Sequence, residues 1–211
     1  MKRIVYKKDN IDFGTIKKTL DENGIIIYPT DTVYGVGANI ESLEGIEKIY
    51  AAKERNFSSP LIALLSKVEY IEKIAIVDKD KKNLVEKLAK EFWPGALTII
   101  LNKKNSVPDI MVSGGETVGV RIPALKLAQE IIEAVGGILP TTSANISGEI
   151  TPRSYDELND RFKERVDIIV DGGVSPLGVE STILDLTKDI PKILREGAIK
   201  KETIEKLIGK I

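Results

Sequence analysis

Apolar residues recur along the chain at two spacings, and the changes between them predict most of its elements. Ile4 to Tyr6 and Ile25 to Tyr28 are short runs suited to strands, while Ile11, Ile16 and Leu20 recur at roughly helical spacing until Asn23-Gly24 supplies a stop. Ser42 is placed to cap a helix with an apolar face of Leu43, Ile46, Ile49 and Tyr50, running into a polar stretch from Lys53 to Ser59. Leu61 to Leu65 predicts a buried strand. Ser66 and Glu69 stand at capping-box spacing and predict a short helix, and Leu84, Val85, Leu88 and Phe92 mark a longer one that stops at Trp93-Pro94-Gly95.

Further on, Leu97 to Leu101 and Val118 to Ile122 predict strands around a loop or edge segment containing Pro108 and Gly114-Gly115. Leu127, Ile131, Ile132 and Val135 lie on a helix stopped by Gly136-Gly137, and Ile138-Leu139 leads a further strand. Ser154 to Glu157 predicts another capped helix. Ile168 to Val170, Thr182 to Leu186 and Ile193-Leu194 read as the last strands, around a glycine-rich turn, with Ile204, Leu207 and Ile208 on a terminal helix. Some neighbouring strands have no helix between them, which predicts a mixed, twisted sheet flanked by helices. With no repeat, low-complexity tract or linker, residues 1–211 read as a single α/β domain.

Two strand ends open into polar residues. Pro29 cannot donate to a ladder, so the strand ending at Tyr28 gives way to hydroxyls, a carboxylate and two glycines through Asn39. Two readings stay open: a hairpin or connecting turn, or a ligand loop at the carboxyl end of a strand. The second is Pro140 to Gly148, where Thr141, Thr142, Ser143, Asn145 and Ser147 form either a locally bonded turn or a rim of donors and acceptors. Asp171-Gly172-Gly173 and Glu180-Ser181-Thr182 carry the same ambiguity.

Composition narrows the chemistry. At 211 residues, 42% hydrophobic and 30% charged, the chain is long enough for a real core. No apolar run approaches the roughly 20 residues needed to cross a bilayer, and Met1-Lys2-Arg3 leads straight into a strand-like segment, so the expectation is a cytoplasmic chain without a targeting segment or membrane partner. The absence of Cys and His excludes thiol nucleophiles, disulfides, Cys/His metal sites and Ser-His or Cys-His catalysis. A net charge of -1 argues against a broad nucleic-acid surface and permits a local basic cleft.

Familiar nucleotide motifs fail. Gly173 and Gly178 have P-loop spacing, but Val179-Glu180 stands where Lys-Ser/Thr is required, and no strand leads into G-x-G-x-x-G. Lys53, Arg55, Arg121 and Arg195 fall at element ends. Singly each reads as solvated surface, and jointly with the two hydroxyl-rich strand ends they could form an anion pocket.

The ordered set P-T-D-T-V-Y-G at 29–35, K-x-R with P-L at 53–61, F-W-P-G-A-L-T at 92–98, V-G-V-R-I-P at 118–123, T-S-A-N-x-S-G at 142–148, D-G-G with G-V-E-S-T at 171–182 and L-R-x-G at 194–197 resembles the YrdC family, the L-threonylcarbamoyladenylate synthases. The resemblance runs from about residue 10 to residue 199. It implies a YrdC-like fold with a deep ligand cleft, and a reaction in which L-threonine, bicarbonate and ATP give threonylcarbamoyl-AMP and pyrophosphate. The product would pass to tRNA threonylcarbamoyl transferase machinery. Mg2+, if used, would be held mainly by the ATP phosphates and water. Neither carbamate formation nor adenylyl transfer demands His or Cys.

By the same resemblance Thr32, Arg121, Thr141 and Ser181 belong to the threonine side, with the Arg121 fork on the substrate carboxylate. Lys53, Arg55, Ser59, Thr117, Ser143, Asn145, Thr151 and Arg195 belong to the ATP side. Lys53 and Arg55 are the catalytic pair, stabilising triphosphate charge as the α-phosphorus is attacked, and as loop cations they are expected to matter little for stability. The stretch from Ile25 to Asn39 would form one wall of the pocket and Thr141 to Asn145 the opposite wall. Ser59, Leu64 and Leu125 depart from the family, where many relatives carry Asn or Lys, His and His. The chain resembles the short, single-domain members. Two other classes remain: a non-catalytic RNA-binding protein of the same fold, and the related domain of hydrogenase-maturation carbamoyltransferases, whose Cys-rich zinc segments are missing here.

Overall fold

The computed structural model describes residues 3–55, 57 and 59–211. Its elements in chain order are β1 (Ile4–Lys7), α1 (Phe13–Asp21), β2 (Ile25–Tyr28), β3 (Gly35–Ala38), α2 (Leu43–Ala52), β4 (Ile62–Leu65), α3 (Ile71–Ile74), β5 (Ala75–Ile76), α4 (Lys82–Phe92), β6 (Leu97–Lys103), β7 (Thr117–Arg121), α5 (Lys126–Ala134), β8 (Ile138–Ser143), α6 (Asp160–Lys163), β9 (Ile168–Asp171), β10 (Thr182–Asp185), β11 (Lys192–Arg195) and α7 (Lys201–Ile208). Every strand belongs to one sheet, ordered β1-β9-β2-β3-β8-β4-β7-β6-β10-β11, with β5 beside β6. Parallel pairs (β1/β9, β2/β9, β4/β7, β6/β10) are interspersed with antiparallel ones, so the sheet is mixed, as the missing crossover helices predict.

Alternation along β2 explains its apolar run. Ile25 and Ile27 face one core with α2, α4 and α7, and Ile26 and Tyr28 face another with α1 and α5. A strand covered on both faces needs four apolar residues in succession. Asp12 and Ser42 cap α1 and α2 through side-chain acceptors to Thr15 N and Gly45 N.

Residues 35–38 are strand β3, which the residues do not predict, and it pairs antiparallel to β2, so the hairpin reading left open for the stretch after Pro29 holds alongside its polar loop. The glycines of β3 hid it, because glycine is depleted in strands. They serve close approach: a Cβ on Gly35 would lie 2.7 Å from Thr141 Cγ2 of β8. Two other local expectations fail. The capping box at Ser66 does not form. Ser66 Oγ donates to Glu133 Oε2 at 2.6 Å, and a 3-10 turn at Val68–Tyr70 opens α3 without a side-chain cap. At Ser154 a turn stands where a helix is predicted: Glu157 N donates to Ser154 Oγ at 3.3 Å, but the Glu157 carboxylate takes Arg153 N at 2.7 Å, and α6 starts only after the Asn159 cap.

Candidate active site

The carboxyl end of β2 opens into a self-bonded loop. Thr30 Oγ1 accepts from Thr32 N at 3.2 Å and Val33 N at 3.3 Å and donates to Val33 O at 2.7 Å. That turn sets Thr32 Oγ1 2.8 Å from Arg121 Nη1 at the end of β7. Arg121 Nη2 donates to Asp31 Oδ1 at 2.6 Å and Nε to Gly95 O at 2.8 Å. Both members of this ion pair are buried, Asp31 at 4% and Arg121 at 3% exposure. Burial pulls the guanidinium below its ordinary range, and Asp31 opposes the shift. The fork expected to hold a substrate carboxylate through both arms is therefore already engaged: one arm lies on Asp31, the other on Thr32, leaving one N–H on each.

Beside it, Tyr28 OH lies 2.7 Å from Thr141 Oγ1, which donates to Leu139 O at 2.9 Å. Burial pushes the Tyr28 phenol up, so it stays a neutral partner for the threonine hydroxyl. Ser181 Oγ lies 2.8 Å from Thr98 Oγ1.

Lys53 closes α2 and points inward. Its Nζ donates to Ser143 O, to Asn145 O at 2.8 Å and to Asn145 Oδ1 at 3.1 Å, and the residue is 2% exposed. All three ammonium donors are thus used on the end of β8 and the residues just after it. Burial, with Arg55 adding its positive charge, brings Lys53 down to about 7, and the negative charge of Glu180 opposes the shift. Lys53 is not a loop cation of little structural weight: it ties α2 to β8, and Ser147 N donates to Lys53 O at 2.9 Å on the same seam. Arg55 is half-buried, and among the described residues its guanidinium makes one long contact, to Thr142 Oγ1 at 3.5 Å. Arg195 Nη2 donates to Ser181 O at 2.9 Å and Nη1 to Glu180 Oε2 at 2.8 Å.

These groups surround one cleft of about 410 Å³ that includes every sequence-selected site residue except Ser59, Thr117 and Thr151. Tyr50 OH donates to Ser59 O at 3.0 Å. Thr117 starts the strand that Arg121 ends, which separates them by roughly 13 Å along β7. Thr151 lies between Ile150 and Pro152, which line a second cavity of about 470 Å³ that shares Asn145 and Gly148 with the first. Of the departures, Leu64 lines the cleft and Leu125 sits at the start of α5.

The two hydroxyl-rich stretches are not opposite walls. Strand β3 pairs with β8, Gly35 against Ser143, and Ala144 N donates to Tyr34 O at 2.9 Å, so they join edge to edge. Glu180, Ser181, Ile183 and Arg195 of the β10–β11 region complete the lining. Thr30, Tyr34, Thr142 and Glu180, which belong to the polar stretches but carry no assigned substrate, also line the cleft, as does the apolar Ile62. Glu180 had a signal in its place before Ser181-Thr182, whereas Ile62 had none. Among the described residues no group of three His, Cys, Asp or Glu could hold a metal ion, and the carboxylate in the cleft lining, Glu180, is paired with Arg195, so these residues do not form a cage for Mg2+. No helix among them is long and apolar enough to cross a membrane.

The family model Sua5/YciO/YrdC, described as "Telomere recombination", matches residues 18–197. Threonylcarbamoyl-AMP synthase of Pyrococcus abyssi is 40% identical over 190 residues, covering 90% of this chain and 55% of that protein. This chain thus spans about half the length of that curated relative. The crystal structure of P. abyssi Sua5 complexed with L-threonine aligns with a TM-score of 0.89 at 36% identity, over 100% of this chain and 62% of that one. Escherichia coli YciO aligns with a TM-score of 0.80 at 27% identity, over 96% of this chain and 98% of that one.

Proposed function

The chain belongs to the Sua5/YciO/YrdC family, and from that premise we propose that its cleft makes threonylcarbamoyl-AMP and pyrophosphate from L-threonine, bicarbonate and ATP. The observation that carries the reading is a division of labour inside one cleft. The end around Thr32, Thr141 and Ser181 presents hydroxyls beside a neutralised guanidinium, and the end around Arg55, Ser143 and Arg195 presents cations and donors. The first suits a small hydroxy amino acid, and the second a polyphosphate.

In the proposed reaction bicarbonate gives carbon dioxide and hydroxide, the unprotonated threonine amine adds to the carbon dioxide to form a carbamate, and the proton the amine loses joins the hydroxide as water. A carbamate oxygen attacks the α-phosphorus, the bond to the β-phosphate oxygen breaks, and pyrophosphate leaves. The two free Arg121 N–H groups hold the threonine carboxylate, with Thr32 fixing one arm of that fork beside it. Arg55 and Arg195 stabilise charge on the phosphates, and Lys53 keeps the 143–147 segment in place beneath them. Ser59, Thr117 and Thr151, which lie outside the main cleft, would reach ATP only where it extends beyond that cleft. Mg2+ would accompany the ATP phosphates. Residues 1–211 act as one catalytic unit in the cytoplasm, delivering a labile product to tRNA threonylcarbamoyl transferase machinery.

The test is pyrophosphate release measured with each substrate omitted in turn, with threonylcarbamoyl-AMP identified by mass. Release that depends on both threonine and bicarbonate supports the reading; release indifferent to threonine sinks it.

A further inference from the structure

Helix α2 ends in a conformation that its sequence disfavours. Glu54 N donates to Ala51 O at 3.1 Å and Arg55 N to Tyr50 O at 3.0 Å, the pair of bonds that makes a Schellman ending. Glu54 occupies the position that must turn left-handed, and its φ is 51°. Glycine takes that conformation freely, while a side chain there crowds the following carbonyl. Two arginines hold the glutamate in place. Arg165 Nη2, at 2.6 Å, and Arg161 Nη2 both donate to Glu54 Oε1, and Arg165 Nη1 reaches Ala52 O at 2.8 Å. Their hydrogen bonds keep the Glu54 carboxyl below the usual range.

This turn separates the two cations of the cleft. Had α2 continued, residues 53 and 55 would project about 200° apart around its axis, and they could not both line one cleft. The left-handed residue instead leaves Lys53 under Ser143 and Asn145 and brings Arg55 to Thr142. Among the described residues the Arg161 and Arg165 guanidinium groups bond to Glu54 and Ala52 and to no side chain of the cleft lining, so the turn is their route to the cleft.

We propose that Glu54 is the positioning residue for Lys53 and Arg55: its left-handed backbone sets both cations, and its bond to Arg161 and Arg165 holds that backbone. The inference rests on the reading of the cleft as an ATP site and adds which residue fixes the geometry of its charges. Glycine at this position keeps the turn, and valine opposes it most strongly.

The experiment compares Glu54→Val and Glu54→Gly, with concentrations corrected for folded protein by near-ultraviolet circular dichroism. Glu54→Val is expected to lower kcat/KM for ATP by about 100-fold, the scale of an ångström-size misplacement, with KM for threonine near its original value. Glu54→Gly restores most of that loss. In an Arg55→Ala background Glu54→Val adds less, because the part of its effect that runs through Arg55 is already lost. Arg165→Ala, which loosens the turn from outside, gives a smaller loss of the same kind and serves where Glu54→Val does not fold. Equal losses in the glycine and valine variants, or full additivity with Arg55→Ala, overturn the proposal. Crystal structures of the two variants separate it from the synthase reading. Absence of pyrophosphate release by the unaltered protein defeats that reading, whereas a Glu54→Val structure with Lys53 Nζ still on the Ser143 and Asn145 carbonyls defeats this inference.

Discussion

Asp31 Oδ1 lies 2.6 Å from Arg121 Nη2, and the two side chains are 5% and 4% exposed. A buried ion pair is costly to break from one side, since the survivor is left as an uncompensated charge. Asp31→Ala is therefore expected to destabilise the fold by about 3–5 kcal/mol, read as a shift in the urea midpoint. Arg121→Ala should weaken threonine binding in calorimetry; a change confined to ATP would contradict the role assigned to Arg121.

Lys53 carries a pH dependence of definite sign. Its folded value of about 7 lies below the ordinary 10.5, so between those limits the unfolded chain binds more protons than the folded one. The burial penalty is complete below pH 7 and is relieved as pH rises. The stability of the unaltered protein relative to Lys53→Met should climb between about pH 7 and 10, by at most about 1.4 kcal/mol per unit. Urea titrations at several pH values measure this, and a flat difference would mean that the carbonyls of Ser143 and Asn145 keep the ammonium charged.

Removing Lys53 also strands its acceptors. Lys53→Ala should cost about 1–3 kcal/mol at neutral pH, in contrast to the small effect expected of a loop cation.

Arg55 presents the opposite case. Half-buried and with one 3.5 Å contact, it contributes little to the fold, so Arg55→Ala should leave stability within about 0.5 kcal/mol. Its loss should reduce pyrophosphate formation by about 100- to 1,000-fold, the scale of removing one group that stabilises developing charge. Near-normal turnover would place the phosphates elsewhere.

Gly35 tests the join between the two hydroxyl-rich stretches. An added methyl would meet Thr141 Cγ2 at 2.7 Å, so Gly35→Ala should destabilise by about 1–3 kcal/mol. Paired with Thr141→Ser, which removes that methyl, much of the loss should return; strict additivity in denaturation would show that the two strands are not in this contact.

Much of the fold could be read from the chain because it depends on local period and punctuation. The four-residue apolar run of β2, the Ser42 cap, the Gly136-Gly137 stop after α5 and the mixed sheet all follow from side-chain placement that neighbours in sequence determine. The loops at 29–35 and 141–147 announced themselves by hydroxyls clustered at strand ends. What the chain by itself determined is the set of elements and the kind of chemistry open to it, since those are properties of residue type and spacing.

Tertiary structure decided who meets whom. Gly35 and Ser143 lie more than a hundred residues apart, and their pairing turns two supposed opposite walls into one surface. The Arg121 fork is not free, because Asp31 lies on one arm and Thr32 on the other. Lys53 read as a surface cation until its burial and three carbonyl partners gave it a structural task. The physical reason is the same in each case. Burial and long-range pairing fix what a charge or a glycine does, and both depend on strand order, which no local window of residues contains.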